Sequence, residues 1–156
     1  MSGNGLNIER PTQNVERRKK YDLEDRLLKF SANIICIAER LPATRAGNHV
    51  AGQLLRSGTS PLPNHAEAQA AESRADFIHK FKIGMKELRE TERWLRLIQQ
   101  VPLLQPASQV TALLSETDSL IRVFKSSIQT AERNGARRPT SDVQRSVFKP
   151  LTGGSR

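Results

Sequence analysis

The sequence predicts an all-α fold, an antiparallel up-down four-helix bundle. Two observations carry that prediction. Four segments between residues 21 and 134 repeat apolar side chains at steps of three and four, the period of one helix face. The connections between them are short, which sets consecutive helices antiparallel and side by side. No segment alternates apolar and polar residues as a half-buried strand would. At 156 residues the chain is long enough for one domain with a proper core and too short for two comfortable ones.

The first helix is expected to start near Asp22 and to end at Leu41, before Pro42. Leu23, Leu27, Phe30, Ile34, Ile37 and Leu41 form its apolar face, widened by Ile35 and Ala38. The second is expected from about Thr44 to Ala71, with Val50, Leu54 and Leu55 inward. Pro61 and Pro63 interrupt it. Each removes a backbone donor and disfavours the α region for its predecessor, so a break or kink is expected across Thr59–Leu62, with helix resuming by Asn64. The hydroxyls of Thr59 and Ser60 are expected to satisfy some of the freed backbone groups.

Ser73 followed by Asp76 resembles a capping box and opens the third helix, which ends about Gln100. Phe77, Phe81, Leu88, Leu95 and Ile98, with Gly84 and Thr91 between, form its core stripe. The fourth is expected to begin near Pro106, a residue suited to a first turn, and to stop at Asn134-Gly135. Its stripe is Val110, Leu113, Leu114, Thr117, Leu120, Ile121, Phe124, Ile128 and Ala131.

Residues 1–20 and 135–156 lack apolar periodicity and read as flexible basic arms flanking a bundle over 21–134. The net charge of +9 divides unevenly. Residues 1–20 carry +3, residues 133–156 carry +5, and the 112 residues between them only +1. A high pI is therefore no argument by itself for a nucleic-acid surface on the bundle. The longest apolar run, Ile34 to Ala38, is far short of a membrane span, and Met1–Arg10 has no apolar core of a secretion signal. The expected location is the cytoplasm, with no membrane partner. Cys36 lies in that run and reads as a buried, reduced thiol.

Nothing marks catalysis. His49, His65 and His79 lack metal-ligand spacing, and His65-Ala66-Glu67 has no Pro-Cys-x-x-Cys partner in a chain with one cysteine. No phosphate-cradling glycine motif occurs. The expectation is a non-enzyme with no cofactor, no metal and no small-molecule substrate. The sharpest chemical feature is Lys82, Lys86, Arg89, Arg93 and Arg96, at steps of four, three, four and three on the third helix. They fall in a strip roughly 80° wide and about 21 Å long, almost opposite the core stripe. Such a strip can track phosphates of RNA or DNA; it can equally be a solvated face, and Glu90 and Glu92 beside it are expected to neutralise part of it. Ile83, Trp94 and Leu97 form an apolar flank that reads as bundle edge or as a subunit contact. Arg56, Ser57, Ser60, Asn64 and Glu67 make a polar cluster on the interrupted helix, whose local reading is repair of the proline break.

The stretch GQLLRSGTSPLPNHAEAQAAESRADFIHKFKIGMKELRETERWLRLI, residues 52–98, resembles the bacterial four-helix-bundle family that includes proteins encoded in large-subunit ribosomal RNA intervening sequences. LLRSGTS at 54–60, Asn64, Glu67-Ala68, DFIHK at 76–80 and KELRETERWL at 86–95 carry it, and Tyr21-Asp22-Leu23 opens the first helix similarly. Pro61, Pro63, His65 and Ala66 depart from it, where family members more often show a Gly-Ala-Asn-Tyr-Arg-like stretch. The resemblance implies a homo-oligomeric ring, typically a pentamer. It also implies kinship with the accessory variability proteins of diversity-generating retroelements, which bind a reverse transcriptase and nucleic acid. Two functions follow as expectations. One is an oligomeric nucleic-acid-associated adaptor, accessory to a reverse transcriptase. The other is a structural or protein-interaction bundle whose basic strip is only surface.

Overall fold

The computed structural model describes residues 11–136, with side chains described for residues 22–136. It is all-helical over that range: α1 (Pro11–Glu39), α2 (Arg45–Thr59), α3 (Pro61–Gln69), α4 (Arg74–Gln100) and α5 (Ser108–Ala136). α2 and α3 are the two halves of the second helix, bent at Ser60, so the architecture is a four-helix bundle. α1 packs on α2, α3 and α5, and α4 packs on α2, α3 and α5. α1 and α4 therefore stand diagonally across the bundle.

The stripes meet at its centre. Leu27, Phe30, Ile34 and Ile37 of α1, and Leu41 just past its end at Glu39 rather than inside it as expected, meet Val50 and Leu54 from α2, and Phe81, Leu88, Leu95 and Ile98 from α4. Val110, Leu113, Leu120, Phe124 and Ile128 of α5 close the core. Phe81 stacks on Phe77 with ring centroids 4.5 Å apart and lies tilted against Phe124 at 4.8 Å. Thr44 and Ser73 cap the starts of α2 and α4, accepting from the amides of Gly47 at 3.0 Å and Asp76 at 3.1 Å.

Several boundaries differ from expectation. α1 begins at Pro11 rather than Asp22. Proline suits a first helical position, and Glu16-Arg17-Arg18-Lys19-Lys20 is a run of good helix formers, which carry the helix without an apolar stripe. Residues 11–20 of the expected arm are thus helical, while 1–10 and 137–156 lie outside the described residues. At the other end α5 continues through Gly135 to Ala136, and it starts at Ser108, two residues after Pro106. Cys36, expected to be buried, is exposed. Five consecutive residues span a full turn at about 100° each, so the run Ile34–Ala38 cannot all face inward. Ile34, Ile37 and Ala38 take the core; Ile35 and Cys36 are left outside.

The bend is gentler than two prolines suggest. Ser60 keeps helical dihedrals (φ −61°, ψ −34°), and helix resumes at once with Pro61, well before the expected limit at Asn64. Pro61 and Pro63 both sit in the first turn of α3, where amides have no intrahelical acceptor and their loss is tolerated. The hydroxyls do not repair the freed carbonyls as expected. Thr59 Oγ1 donates to Leu55 O at 2.7 Å and Ser57 Oγ to Gln53 O at 2.9 Å, back-bonds within the preceding turn that favour bending. Asn64 braces the bend instead: its Nδ2 donates to Ser60 O at 2.9 Å and to Ser60 Oγ at 3.0 Å, beside its own amide, which donates to Ser60 O at 3.2 Å.

Gly58, just before the bend, lets α2 press against α1. A Cβ there would lie 2.7 Å from Ile34 Cγ2 and 2.9 Å from its Cγ1, and Ile34 is fully buried. Gly52, earlier in α2 and on another face, has open space where its Cβ would be. Gly58→Ala is expected to destabilise the fold by roughly 1–3 kcal/mol, overpacking outweighing the helix-propensity gain. Gly52→Ala is expected to stabilise it by about 0.5–1 kcal/mol, both read from thermal or urea unfolding.

Candidate nucleic-acid interface

The core stripe of α4 decides where its cations go. With Phe81, Leu88, Leu95 and Ile98 inward, Lys82, Lys86, Arg89, Arg93 and Arg96 all emerge exposed along one strip. Two are partly engaged: Lys82 Nζ lies 3.1 Å from Glu132 of α5, and Arg96 lies 2.5 Å from Glu92 one turn before it. Lys86, Arg89 and Arg93 make no ion pair among the described residues. Glu90 was expected to neutralise the strip and does not. Its carboxylate turns the other way, to Arg56 of α2, and accepts from Trp94 Nε1 at 3.4 Å.

The polar cluster of the second helix is a clamp rather than a pocket. Arg56 reaches Glu87 at 3.6 Å as well as Glu90. Ser57 is fully buried and receives the Thr91 hydroxyl at 3.1 Å. Glu67 pairs with Lys80 at 2.5 Å. These side chains tie α2 and α3 to α4, while Ser60 and Asn64 close the bend. The hydrogen bond and charge of Glu67 raise the Lys80 pKa above its ordinary 10.5. A raised lysine favours the folded state below its unfolded pKa, and that contribution fades as pH rises through the folded value.

The apolar flank divides. Ile83 and Trp94 are half-buried, Trp94 with its ring edge-on to His49 at 5.9 Å, whereas Leu97 is exposed. The histidines do not converge: His49 and His79 are exposed, and His65 is buried edge-on to Phe81. Among the described residues no group of three or more His, Cys, Asp or Glu side chains could hold a metal ion. Nor is any described helix long and apolar enough to cross a membrane.

Sequence reasoning missed a groove of about 550 Å³ between α1 and α5, floored by Phe30, Ile37 and Leu113 and rimmed by Arg26, Asn33 and Cys36. Polar contacts bound it: Arg26 pairs with Glu116 at 2.9 Å and donates to Ser119 at 2.9 Å, and Arg40 donates to Gln105 O at 3.2 Å and to Gln109. No periodicity announces a gap between two helices, so no signal in the sequence marks it.

The Ser57–Thr91 pair supplies a test of the clamp. Thr91→Val keeps the side-chain shape and removes the hydroxyl beside Ser57; a loss of about 1 kcal/mol in unfolding free energy is expected. In a double-mutant cycle with Ser57→Ala, the two losses should fall short of additive.

The comparisons bear on the fold and the family. The model of the 23S rRNA-intervening sequence protein family matches residues 19–126. A crystal structure of a protein of unknown function from the S23 ribosomal protein family of Bacteroides thetaiotaomicron is similar, at 32% identity and a TM-score of 0.65. The similarity covers 71% of this chain and 98% of that one. The search of curated proteins found no match. The family match and this neighbour share the bundle built above, and the chain belongs to the 23S rRNA-intervening sequence protein family.

Proposed function

We propose that this protein is a non-catalytic, oligomeric adaptor that holds nucleic acid by its phosphate backbone, with a reverse transcriptase as the protein partner the sequence resemblance implies. The observation that carries the reading is the exposed strip on α4, where Lys86, Arg89 and Arg93 stand free of ion pairs among the described residues. Cations on a folded helix share an ordered backbone, so only their side-chain freedom is lost in meeting a row of phosphates. The strip carries no base-reading motif, so binding is expected to be nearly indifferent to sequence.

Oligomerisation is part of the proposal. Leu28 is 57% exposed, Ile35 45% and Leu97 39%, apolar surface on α1 and α4 that a second copy would cover. A ring would repeat the strip and convert weak single contacts into avid binding. The number five rests on the resemblance alone. Multi-angle light scattering is expected to give a mass of several chains, five for a pentamer; a concentration-independent monomer would refute the assembly, and a stable dimer the ring.

The strip itself is tested by salt titration. Arg89→Gln/Arg93→Gln in the full chain should lower the slope of log affinity against log salt by roughly 1 to 2 per binding unit on duplex DNA, at about 0.9 per lost phosphate contact. Both side chains are exposed, so the thermal midpoint should hold. An unchanged slope would leave the strip a solvated face and favour the protein-interaction bundle.

A further inference from the structure

We infer that the nucleic-acid face is not the α4 strip alone but a two-helix surface of α4 and α5, and that its ligand is double-stranded RNA. This rests on the phosphate-binding reading of the preceding subsection and deepens it.

Two contacts set the register of the antiparallel pair. Lys82 meets Glu132 at 3.1 Å, and Gln99 Nε2 donates to Thr111 Oγ1 at 2.9 Å. The contacts lie 17 residues apart on α4 (82 to 99) and 21 on α5 (111 to 132), a difference the long side chains span, and interpolation between them sets Lys125 level with the turn between Lys86 and Arg89, and Arg122 level with the turn between Arg89 and Arg93. Both are exposed. The rotation of α5 is set by its own stripe: with Leu120, Phe124 and Ile128 in the core, Glu132 lies on the side facing α4. At about 100° per residue, Lys125 and Arg122 fall on that same side, turned further out toward solvent. The outer surface of the α4/α5 seam thus carries a second basic row alongside the middle of the first. Its acidic groups are already engaged: Glu132 with Lys82, Glu92 with Arg96, and Asp118 with Arg122 at 2.7 Å. Lys86, Arg89, Arg93 and Lys125 are left at its centre with no ion pair among the described residues.

Two rows on neighbouring helices, whose axes lie about 8–10 Å apart when packed, match a ligand with two backbones. A single strand fills one row, and it also gains much of its affinity by stacking bases on aromatic rings. The seam offers none among the described residues: Trp94 turns toward His49 of α2, while Phe81 and Phe124 lie in the core. The choice between duplexes follows from groove shape. The major groove of B-DNA, about 12 Å wide, admits one helix, and its minor groove is only about 6 Å wide, so a flat pair of helices enters neither. The A-form minor groove is wide and shallow, with phosphates along both margins, and a two-row face can lie across it and reach both strands.

The test uses the full chain, an RNA duplex somewhat longer than the roughly 16 base pairs a duplex-binding domain spans, either of its separated strands, and the DNA duplex of the same sequence, each titrated across salt. The RNA duplex is expected to bind at least about tenfold more tightly than strand or DNA at equal salt. Arg122→Gln/Lys125→Gln should lower the RNA-duplex slope by roughly 1 to 2, as Arg89→Gln/Arg93→Gln does. Lys125→Gln alone should lower it by about 1, which separates a lost phosphate contact from the broken Asp118 pair. Circular dichroism melts of the variants should superimpose on the parent. Equal binding of the single strand, equal binding of the DNA duplex, or an α5 variant with an unchanged slope would each overturn this inference and leave the phosphate-backbone reading standing. No binding to any of the three at low salt would overturn both.

Discussion

Phe81 sits between Phe77 and Phe124, at 4.5 and 4.8 Å, and this aromatic contact sets the rotation of α4 about its own axis. The rest of the arrangement depends on that rotation. With Phe81 held against α5, Thr91 meets Ser57 and Glu90 meets Arg56 on the side of α2, while the five cations emerge on the side of α5. A turn of one residue, about 100°, would bring part of the cationic strip toward the core and cost several kcal/mol for each unpaired charge buried. The exposure of the strip is therefore enforced by the interior.

The same logic separates what was legible in the sequence from what was not. The core stripes were legible because a period of three and four is a property of one helix, and the basic strip was legible as the geometric complement of a stripe. Cys36 was misjudged because a local apolar run says nothing about direction; the helix must turn one of Ile35 and Cys36 outward whatever their chemistry. Glu90 was misjudged for a different reason. Its neighbours in sequence are cations of the strip, but Arg56, thirty-four residues earlier, and the Trp94 indole hold it on the other side of the helix. The α1–α5 groove was invisible because it is a failure of two distant helices to meet. Glu67 and Asn64 were legible as members of one polar cluster on the interrupted helix; the structure gives them separate tasks, one across the α3–α4 seam and one inside the bend.

The distribution of charge follows from this division of α4. The chain carries +9, yet the segment that forms most of the bundle is close to neutral. Neutrality there is not evenly spread. Glu87, Glu90 and Glu67 are drawn to the α2/α3 side, where they neutralise Arg56 and Lys80 and clamp the bent helix. Removing those carboxylates from the cationic side leaves the outer seam of α4 and α5 positive although the balance sheet of the domain is almost zero. A local field of this kind acts over about one Debye length, near 8–10 Å at physiological salt, so it matters to a ligand in contact and little to one at a distance.

Rigidity is divided along the same line. α4 and α5 share the deepest apolar contact of the bundle, Phe81 on Phe124, with Leu88 and Leu120 fully buried. The α1–α5 seam combines a narrower apolar floor with side-chain contacts at its rim: Arg26 with Glu116 and Ser119, and Arg40 with Gln105 and Gln109. Part-exposed ion pairs contribute little and weaken with salt, so this seam opens at lower cost than the α4–α5 seam. The cationic face thus rides on the seam with the deep aromatic contact, and the groove lies at the seam held at its rim by polar side chains. The basic strip and the groove are separate surfaces of a single small bundle, because α4 does not pack on α1 and no side chain of the strip lines the groove.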